Sequence, residues 1–340
     1  MQNFKNLTQN GKIGVCAPSL GCDEHFYYLN RCKNAVKNFN KLGHEVVFTE
    51  HCFGNKMGRS ADASIRAEEF EKLFFDDSVE AIISMAGGEF ELEILPYLNY
   101  KKLKKANNKI FQGFSDNCCL SFILATMCDK TSIYGHNLFT FGMKKWHKSI
   151  QDNYNFLIGK EVEQISFNKY EIESNRKIEG NELNGFNLTE KTCPTILSGE
   201  SQVELSGRII GGNLDVLSCI CGTKFDNVKN FIKKYKKDGI IWFFESCDLS
   251  VLDQSRAIWK LKNAGWFEGA KGFLIGRPLK KETMFDVDYL QANYENLKDL
   301  NVPVVIDLDI SHTSPNWFMV NGGKATFNCN KKQAKIKFIK

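Results

Sequence analysis

The pentapeptide Gly-Phe-Ser-Asp-Asn at residues 113–117 has the composition and placement of a nucleophilic turn. It stands where an apolar strand gives way to an apolar helix. A serine at such a sharp turn presents its hydroxyl above the sheet edge, and the first N–H groups of the helix point towards a developing oxyanion. Gly113 is the small residue that the turn needs two positions before Ser115. Asn117 replaces the second glycine of G-x-S-x-G, so a plain Ser or Asp helix cap also explains the segment.

Two glycines, Gly87 and Gly88, follow the apolar strand predicted at residues 81–84. Glycines at the carboxyl end of a parallel strand let the backbone approach a ligand and leave N–H groups available to bind it. A simple turn would contain them equally well. Because the strand that ends near residue 114 follows next in the chain, we expect both loops at one edge of one sheet, where open α/β sheets bind ligands.

A carboxylate and an imidazole follow two further apolar strands. Glu245 ends the most apolar strand of the chain, where partial desolvation makes a cationic or N–H partner favourable. His312 could accept a proton from Ser115, with Glu245 holding its other ring nitrogen, and the order Ser, Glu, His is that of the α/β-hydrolases. The alternative base is His136, and the alternative acids are Asp307 and Asp309.

The elements that would position these residues alternate between strands and helices from Lys12 onwards. Short apolar runs predict strands, and apolar residues three and four apart predict helices between them. The predicted strands cover residues 13–17, 46–48, 81–84, 110–114 and 132–134, and Ser60 is the predicted N-cap of a helix that ends near Phe75. This alternation is typical of an α/β fold with a doubly wound, mainly parallel sheet.

The C-terminal part has a different pattern. Short strands and glycine turns, such as Asn-Gly-Gly at residues 321–323, predict a smaller, β-rich domain. Periodicity weakens before it, and residues 174–199 are rich in Asn, Glu, Thr and Gly. We therefore predict a nucleophile domain over residues 1–165, a connecting insertion over 166–206, and a β-rich domain with Glu245 and His312 over 207–340.

Length, composition and charge exclude several classes of protein. The chain has 340 residues, enough for about two domains, of which 43% are hydrophobic and 25% charged. No apolar run approaches the roughly 18 residues that cross a bilayer, and residues 1–10 lack the apolar core of a signal peptide, so we expect a cytoplasmic protein without a membrane partner. The net charge of +5 is spread along the chain without a concentrated basic face, so no nucleic-acid partner is expected.

The twelve cysteines indicate neither a disulfide framework nor a metal centre. They are dispersed over a long chain, and no pair has the C-x-x-C spacing of a zinc site. We expect reduced thiols, no metal and no cofactor.

Five motifs together resemble those of the LD-carboxypeptidase family of serine peptidases. They are Gly-Phe-Ser-Asp at 113–116, Gly-Gly at 87–88 followed by Leu-Pro-Tyr-Leu at 95–98, Gly-Arg-Ile-Ile-Gly-Gly-Asn-Leu at 207–214, Phe-Phe-Glu-Ser at 243–246, and Ser-His-Thr at 311–313. The similarity runs from about residue 11 to about residue 327, and the Gly-Gly-Asn-Leu block is its most specific part.

The resemblance implies roles for the candidate residues. Ser115 would be the nucleophile, His312 the general base and Glu245 its orienting acid, with the active site between the two domains. The backbone N–H groups of Gly88 and Asp116 would form the oxyanion hole. The resemblance also implies a homodimer.

Two branches of the family act on different substrates. LD-carboxypeptidases remove a terminal D-amino acid from murein peptides, whereas the microcin C immunity branch cleaves the amide between an aminoacyl group and a nucleotide. The chain length and the long insertion resemble the microcin immunity branch more closely. Phe186 stands where that branch tends to have tryptophan, and Glu89 stands where the family often has an aromatic or small residue.

Substrate contacts are predicted at Gly87, Glu89, Phe186 and Asn213. Asn213 follows two glycines at the start of an apparent helix, so we expect its side chain to be free to hold a polar ligand group. Phe186 would offer a flat face to a nucleotide base, or alternatively pack under its loop. The prediction is a serine peptidase or amidase acting on a small peptide or an aminoacyl nucleotide. A murein tetrapeptide carboxypeptidase and a non-catalytic small-molecule binding protein of the same fold are the alternatives.

Overall fold

The chain folds as two units, each built from more than one segment. The computed structural model describes residue 1, residues 3–22 and residues 26–339, with Phe26 described by its backbone alone. Unit 1 consists of Met1–Val162 and Glu173–Asn187, and unit 2 of Glu163–Ile172 and Leu188–Lys340. The segment predicted as a connection, residues 166–206, is therefore divided: its middle belongs to unit 1, and both its ends belong to unit 2.

Unit 1 contains the predicted parallel sheet. Its strands are β1 (Lys12–Cys16), β2 (Val46–Phe48), β3 (Val79–Ser84), β4 (Ile110–Gly113) and β5 (Ser132–Tyr134), which pair in parallel in the order β2-β1-β3-β4-β5. The helices are α1 (Phe26–Lys41), α2 (Ala63–Phe75), α3 (Tyr100–Lys105), α4 (Cys118–Thr126) and α5 (Lys148–Leu157). Strands β3 and β4 are neighbours, so their carboxyl ends share one edge of the sheet.

One helix start differs from the prediction. Helix α2 begins at Ala63 with Asp62 at its N-cap position, three residues after the expected cap Ser60. The hydroxyl of Ser60 instead donates a 2.6 Å hydrogen bond to the carbonyl of Ala17. Ser60 thus holds the loop before α2 against the end of β1, a tertiary contact that no local pattern reveals.

Unit 2 is built on a mixed sheet. Its strands are β6 (Glu163–Ile165), β7 (Lys169–Tyr170), β8 (Glu190–Lys191), β9 (Thr195–Ile196), β10 (Gln202–Asn213), β11 (Ile240–Glu245), β12 (Ala270–Gly276), β13 (Val304–Leu308), β14 (Met319–Asn321), β15 (Lys324–Asn330) and β16 (Ala334–Ile339). Eight of them form one sheet in the order β6-β16-β15-β10-β11-β12-β13-β9, while β7 and β8 form a separate two-stranded ribbon. The helices are α6 (Leu214–Ile220), α7 (Val228–Tyr235), α8 (Val251–Asn263) and α9 (Tyr289–Tyr294).

The centre of this mixed sheet is parallel. Strands β10 to β13 run in the same direction, and the remaining strands of the sheet are antiparallel to their neighbours. Every residue of β11 is buried, and Trp242 within it stacks on Trp266 with ring centroids 5.6 Å apart. A strand buried on both faces is typical of a parallel sheet between helices. Unit 2 is thus rich in strands, as expected, and its core has α/β character as well.

Candidate active site

The turn at residues 113–117, here called the nucleophile turn, has a backbone conformation that few residues adopt. Ser115 has a φ of +65°, in the left-handed region that non-glycine residues seldom occupy. Its N–H lies 3.3 Å from the hydroxyl oxygen of Tyr134, and the N–H of Phe114 donates a 2.8 Å hydrogen bond to Asn137. Residues at and beyond the end of β5 therefore hold the strained serine at the edge of the sheet. Such strain is concentrated at functional sites.

Asn117, which departs from the generic G-x-S-x-G pattern, connects the two glycine-containing loops. A Cβ on Gly113 would lie 2.4 Å from the Cβ of Asn117, so the turn closes only because residue 113 is glycine. The amide of Asn117 donates hydrogen bonds of 2.6 Å to the Ala86 carbonyl and 3.1 Å to the Phe114 carbonyl. These bonds tie the nucleophile turn to the loop after β3.

The paired glycines lie directly against the serine, as expected for loops at one sheet edge. A Cβ added to Gly87 would lie 2.8 Å from the Ser115 Cβ and 3.1 Å from its Oγ. Gly88 has a φ of +150°, and a Cβ there would meet the Ser19 hydroxyl at 2.3 Å. Glu89 is exposed. The backbone at Gly87 can thus approach Ser115 only without a side chain.

Two buried carboxyl groups lie behind the nucleophile turn. Asp116 accepts hydrogen bonds from the Ser19 hydroxyl and, at 2.8 Å, from the N–H of Glu91. Glu91 is fully buried and accepts a hydrogen bond from the N–H of Leu120. Burial raises the pKa of the Asp116 carboxyl. Burial, together with the neighbouring Asp116, raises the pKa of Glu91 well above its usual value.

Sequence reasoning missed Ser19 and Glu91. Both lie outside the motifs that carry chemistry, Ser19 in the loop after β1 and Glu91 at the start of a short 3₁₀ helix. A carboxylate among apolar residues, in Glu-Leu-Glu-Ile-Leu at residues 91–95, is the one signal that could have indicated Glu91.

Unit 2 brings Glu245 and His312 together. Glu245 is the last residue of β11, and His312 follows β13. The Nδ1 of His312 lies 2.7 Å from Oε2 of Glu245, within charge-assisted hydrogen-bond distance. The side chain of Glu245 is fully buried, whereas that of His312 is 16% exposed. The arrangement can hold the imidazole in one orientation and stabilise its protonated form.

The expectation of a free Asn213 side chain is wrong. Asn213 ends β10 beside Glu245 in the parallel register, and its Nδ2 donates a 2.9 Å hydrogen bond to Oε1 of Glu245. Its Oδ1 accepts the N–H of Val216 and so caps helix α6. Both polar atoms are engaged within unit 2, because the cap residue of α6 is also the neighbour of the buried carboxylate. The Asn213 amide therefore binds Oε1 of Glu245, while Oε2 contacts His312.

The pKa of His312 is raised well above its usual value. Burial opposes protonation, but the negative charge of Glu245 and the hydrogen bonds that the ring donates to Glu245 and Cys247 outweigh it. These contacts favour the protonated imidazole, and the ring can act as a base only after it has lost that proton. Cys247, two residues beyond Glu245, is a contact of His312 that no sequence motif indicated.

The alternative acids have other partners. Asp309 is buried in an ion pair with Arg277, which also donates a 2.9 Å hydrogen bond to the carbonyl of Thr313. Asp309 thus anchors the segment that carries His312 instead of contacting its ring. Asp307 accepts hydrogen bonds from Tyr289 and Thr195.

The alternative base is a core residue. His136 is buried, and burial lowers its pKa to about 4. Its Nε2 has no hydrogen-bond partner among the described residues, and its ring packs against Phe141 with centroids 6.1 Å apart. A neutral imidazole enclosed in this way is poorly suited to accept protons repeatedly.

Phe186 lies on the Glu173–Asn187 segment of unit 1. It is half-buried, with its ring 5.2 Å from that of His147 and the Arg176 guanidinium 4.9 Å from its centroid. The segment is tied to the rest of unit 1 by the Lys144 N–H, which donates a 2.8 Å hydrogen bond to the Leu183 carbonyl. Phe186 thus packs against its neighbours while part of its ring stays exposed.

The structure contains few features of other functional classes. All twelve cysteines are free thiols. In the described part of the chain, no three histidine, cysteine or acidic side chains gather where they could ligate a metal ion. Over the same residues, no helix combines the length and apolarity needed to cross a membrane.

Comparison with known proteins identifies the family. Residues 13–135 match the model of the LD-carboxypeptidase N-terminal domain, and residues 206–327 match that of the C-terminal domain. The chain belongs to the LD-carboxypeptidase family of serine peptidases. It is therefore a serine hydrolase of the peptidase class, as the motifs predicted.

The similar proteins of this family include carboxypeptidases and a microcin immunity protein. The chain is 25% identical to a putative carboxypeptidase of Treponema pallidum, over 96% of this chain and 92% of that protein. It is 28% identical to the microcin C7 self-immunity protein MccF of Escherichia coli, over 90% of this chain and 88% of that protein. A probable murein peptide carboxypeptidase of Bacillus subtilis is 23% identical, over 98% of this chain and 93% of that protein.

Solved structures confirm the fold. An MccF-like protein from Bacillus anthracis superposes with a TM-score of 0.82 at 22% identity, covering all of this chain and 99% of that one. The microcin C7 self-immunity protein MccF superposes with a TM-score of 0.79 at 24% identity, covering 98% of both chains. Structures of MccF also exist with aspartyl sulfamoyl adenosine and, for a tryptophan-to-phenylalanine mutant, with adenosine monophosphate.

Proposed function

We propose that this peptidase cleaves an amide bond with Ser115 as nucleophile, His312 as general base and Glu245 as the acid that orients it. His312 takes the proton of Ser115 as Oγ attacks the carbonyl carbon, and then gives it to the leaving nitrogen. Water then attacks the acyl enzyme in the same way, with His312 again taking and returning the proton, and the carboxylic acid product is released. The left-handed backbone at Ser115 and the 2.7 Å bond between His312 and Glu245 support these roles.

The charge that develops on the carbonyl oxygen needs hydrogen-bond donors that are already oriented. We assign this role to the backbone N–H groups of Gly88 and Asp116. The hydrogen bond from Glu91 N–H to the Asp116 carboxyl fixes the residue that follows Ser115. Because these donors belong to the backbone, no side chain has to rearrange during the reaction.

The proposed substrate is an aminoacyl nucleotide or a close analogue. The observation that carries this choice is the partly exposed ring of Phe186, held between His147 and the guanidinium of Arg176. A nucleotide base can stack on such a ring, whereas a terminal D-alanine has no flat group to do so. The complexes of MccF with glutamyl sulfamoyl guanosine and aspartyl sulfamoyl adenosine support the same class of substrate.

The decisive experiment compares two substrates with one enzyme. Purified protein should release aspartate from aspartyl sulfamoyl adenosine with a higher kcat/KM than it releases D-alanine from murein tetrapeptide. Faster turnover of the tetrapeptide would favour the murein carboxypeptidase instead. No turnover of either, together with no labelling of Ser115 by a fluorophosphonate, would favour a non-catalytic binding protein.

Phe186 provides the test of the nucleotide site. Phe186→Ala should cost about 1–3 kcal/mol in kcat/KM for the nucleotide substrate, and Phe186→Trp should recover or exceed the wild-type value because its stacking area is larger. Phe53→Ala is the matched control, since Phe53 is an exposed phenylalanine of the same unit. Equal losses for nucleotide and tetrapeptide substrates would mean that Phe186 only packs under its loop.

The oligomeric state and the cellular location stay predictions. The family resemblance predicts a homodimer, and the expected cellular location is the cytoplasm. Light scattering during size-exclusion chromatography of the purified chain would test the dimer, and fractionation of cells would test the location.

A further inference from the structure

Unit 2 contains a cavity of about 570 Å³ that neither Glu245 nor His312 lines. Its walls include the ribbon of β7 and β8, strand β9, and residues at or beyond the carboxyl ends of β12 and β13. The residues that matter for its chemistry are Lys169, Lys191, Lys281, Tyr170, Tyr289 and Asp307. The volume is within the range of small-molecule sites. We propose that this cavity binds a small, multiply charged oxyanion that also carries a hydroxyl or amino group.

The first observation is an unfavourable pair of charges. Lys169 in β7 and Lys191 in β8 lie directly opposite each other in the antiparallel ribbon, and both line the cavity. Like charges in this position destabilise a two-stranded sheet. Among the described residues, neither lysine forms an ion pair with a carboxylate. A bound anion would neutralise both lysines at once.

The ribbon itself is held in place by unit 2. The N–H of Glu171 donates a 2.8 Å hydrogen bond to the Ser314 carbonyl, and the N–H of Phe167 donates one of 2.8 Å to Asp309. An isolated two-stranded ribbon is only marginally stable. These anchors therefore keep the paired lysines beside the cavity despite their repulsion.

The second observation is the position of Lys281. Its ammonium group lies 3.1 Å from the Tyr170 hydroxyl and 5.6 Å from the centroid of the Tyr289 ring. Arg277 also lines the cavity, but its charge is compensated by Asp309. Lys169, Lys191 and Lys281 thus line the cavity together with the carboxylate of Asp307, an excess of positive residues that favours a multiply charged anion.

The third observation is strain at Asp307. This residue lies inside β13 yet has a φ of +64°, next to a register shift between β12 and β13. Tyr289 and Thr195 hold its carboxylate with hydrogen bonds of 3.0 and 3.4 Å. A non-glycine residue rarely adopts this conformation, and such strain is concentrated at functional sites. Burial raises the pKa of Asp307, which supports a desolvated setting.

The lysines and the carboxylate that line the cavity together indicate the chemical class of the ligand. Lysines bind phosphate or carboxylate oxygens, and a carboxylate in the same cavity binds a hydroxyl or amino group. A phosphorylated polyol and a hydroxylated polycarboxylic acid share this chemistry. Glycerol 3-phosphate and citrate represent the two sources, and methyl phosphate has the phosphate without the hydroxyl groups.

Calorimetric titration of the full chain at fixed ionic strength tests the proposal. We expect the double variant K169A/K191A to lose affinity for pyrophosphate by at least about tenfold, since the loss of even one charge-assisted hydrogen bond has an effect of about that size. The double variant K331A/K332A removes the same charge from an exposed turn of the same unit and should bind as the wild type does. Equal losses in both variants, or no binding to the wild type at millimolar pyrophosphate, would overturn the proposal.

Titrations with three further ligands identify the ligand class. The wild type should prefer glycerol 3-phosphate over methyl phosphate, and Asp307→Asn should remove most of that preference while pyrophosphate still binds. Tighter binding of citrate than of glycerol 3-phosphate would assign the site to polycarboxylates. An unchanged preference in Asp307→Asn would overturn the role of Asp307.

A chemical readout makes the test independent of activity and of folding differences between variants. Cys193 lines the cavity and is exposed, and Cys219 is an exposed cysteine elsewhere in unit 2. In the wild type, pyrophosphate should slow alkylation of Cys193 by iodoacetamide several-fold, without an effect on Cys219, as followed by peptide mass spectrometry. Equal rates at Cys193 with and without pyrophosphate would place the anion elsewhere and overturn the proposal.

Discussion

The nucleophile turn of unit 1 and the pair formed by Glu245 and His312 in unit 2 are positioned by different physical means. The turn depends on backbone: Ser115 adopts a left-handed φ, and Gly87 and Gly113 allow contacts that any side chain would prevent. The pair depends on side-chain hydrogen bonds and charge. Changes in volume should therefore damage the turn, whereas changes in charge should damage the pair.

Loss of the nucleophile should have the largest effect. Ser115→Ala should lower kcat by about 10⁴–10⁶-fold, because members of such a triad act as a unit. His312→Ala should cause a similar loss, and the double variant should lose little more than either alone. The measurement is kcat for the wild type and the three variants, with circular dichroism to check folding. Wild-type turnover in Ser115→Ala, or multiplied losses in the double variant, would contradict the assignment.

Removal of charge from the pair should have the next largest effect. Glu245→Gln should lower kcat by about 10⁴-fold, because the amide cannot hold the protonated imidazole in place. His312 must lose its proton to act as base, so wild-type kcat/KM should rise with pH through its raised pKa. In Glu245→Gln this rise should move to lower pH. A rise at the same pH in both proteins would mean that another group titrates.

The same pKa shift predicts the pH dependence of stability. Because the pKa of His312 is higher in the folded than in the unfolded protein, its stabilising contribution is complete below the unfolded pKa of about 6.5. That contribution is lost as the pH rises through the higher folded pKa. Urea unfolding at a series of pH values should therefore show an alkaline decline that is smaller in Glu245→Gln.

The contrast between the regions also explains how much the sequence could predict. Ser115, Glu245 and His312 stand at strand ends, which short apolar runs mark clearly, and the parallel fold of unit 1 follows from the same signal. The bond between Asn213 and Glu245 depends on the register of two strands whose residues are 32 positions apart. No local pattern contains that register.

The divided insertion was beyond sequence reasoning for a similar reason. Arg31 in helix α1 donates a 2.9 Å hydrogen bond to the Glu182 carbonyl, and this contact helps to hold residues 173–187 in unit 1. The segment lacks the periodic apolar residues from which a core position could be predicted. Individual tertiary contacts of this kind, including the packing of Phe186 on His147, hold the segment in unit 1, and composition does not encode them.

Added volume at the nucleophile turn should have an intermediate effect. Gly87→Ala places a Cβ 2.8 Å from the Ser115 Cβ, and the serine must shift to accommodate it. A displacement near 1 Å can lower kcat by about 10²-fold, and the overpacking should reduce stability by about 1–3 kcal/mol. Gly185→Ala is the control, since a Cβ there meets nothing within 4 Å. Wild-type kcat in Gly87→Ala would show that the close approach has no catalytic role.

The smallest expected effect isolates the backbone strain at Ser115. Ser115→Gly and Ser115→Ala both remove the hydroxyl, but only glycine adopts a φ of +65° without strain. The glycine variant should therefore be more stable than the alanine variant by about 1 kcal/mol in urea unfolding. At Glu68, an exposed position in the interior of helix α2, the same two substitutions should show the reverse order, because glycine inside a helix is about 1 kcal/mol worse than alanine. The same order at both positions would mean that the left-handed conformation at Ser115 stores no strain, and the nucleophile turn would then be held by hydrogen bonds in the same way as the pair in unit 2.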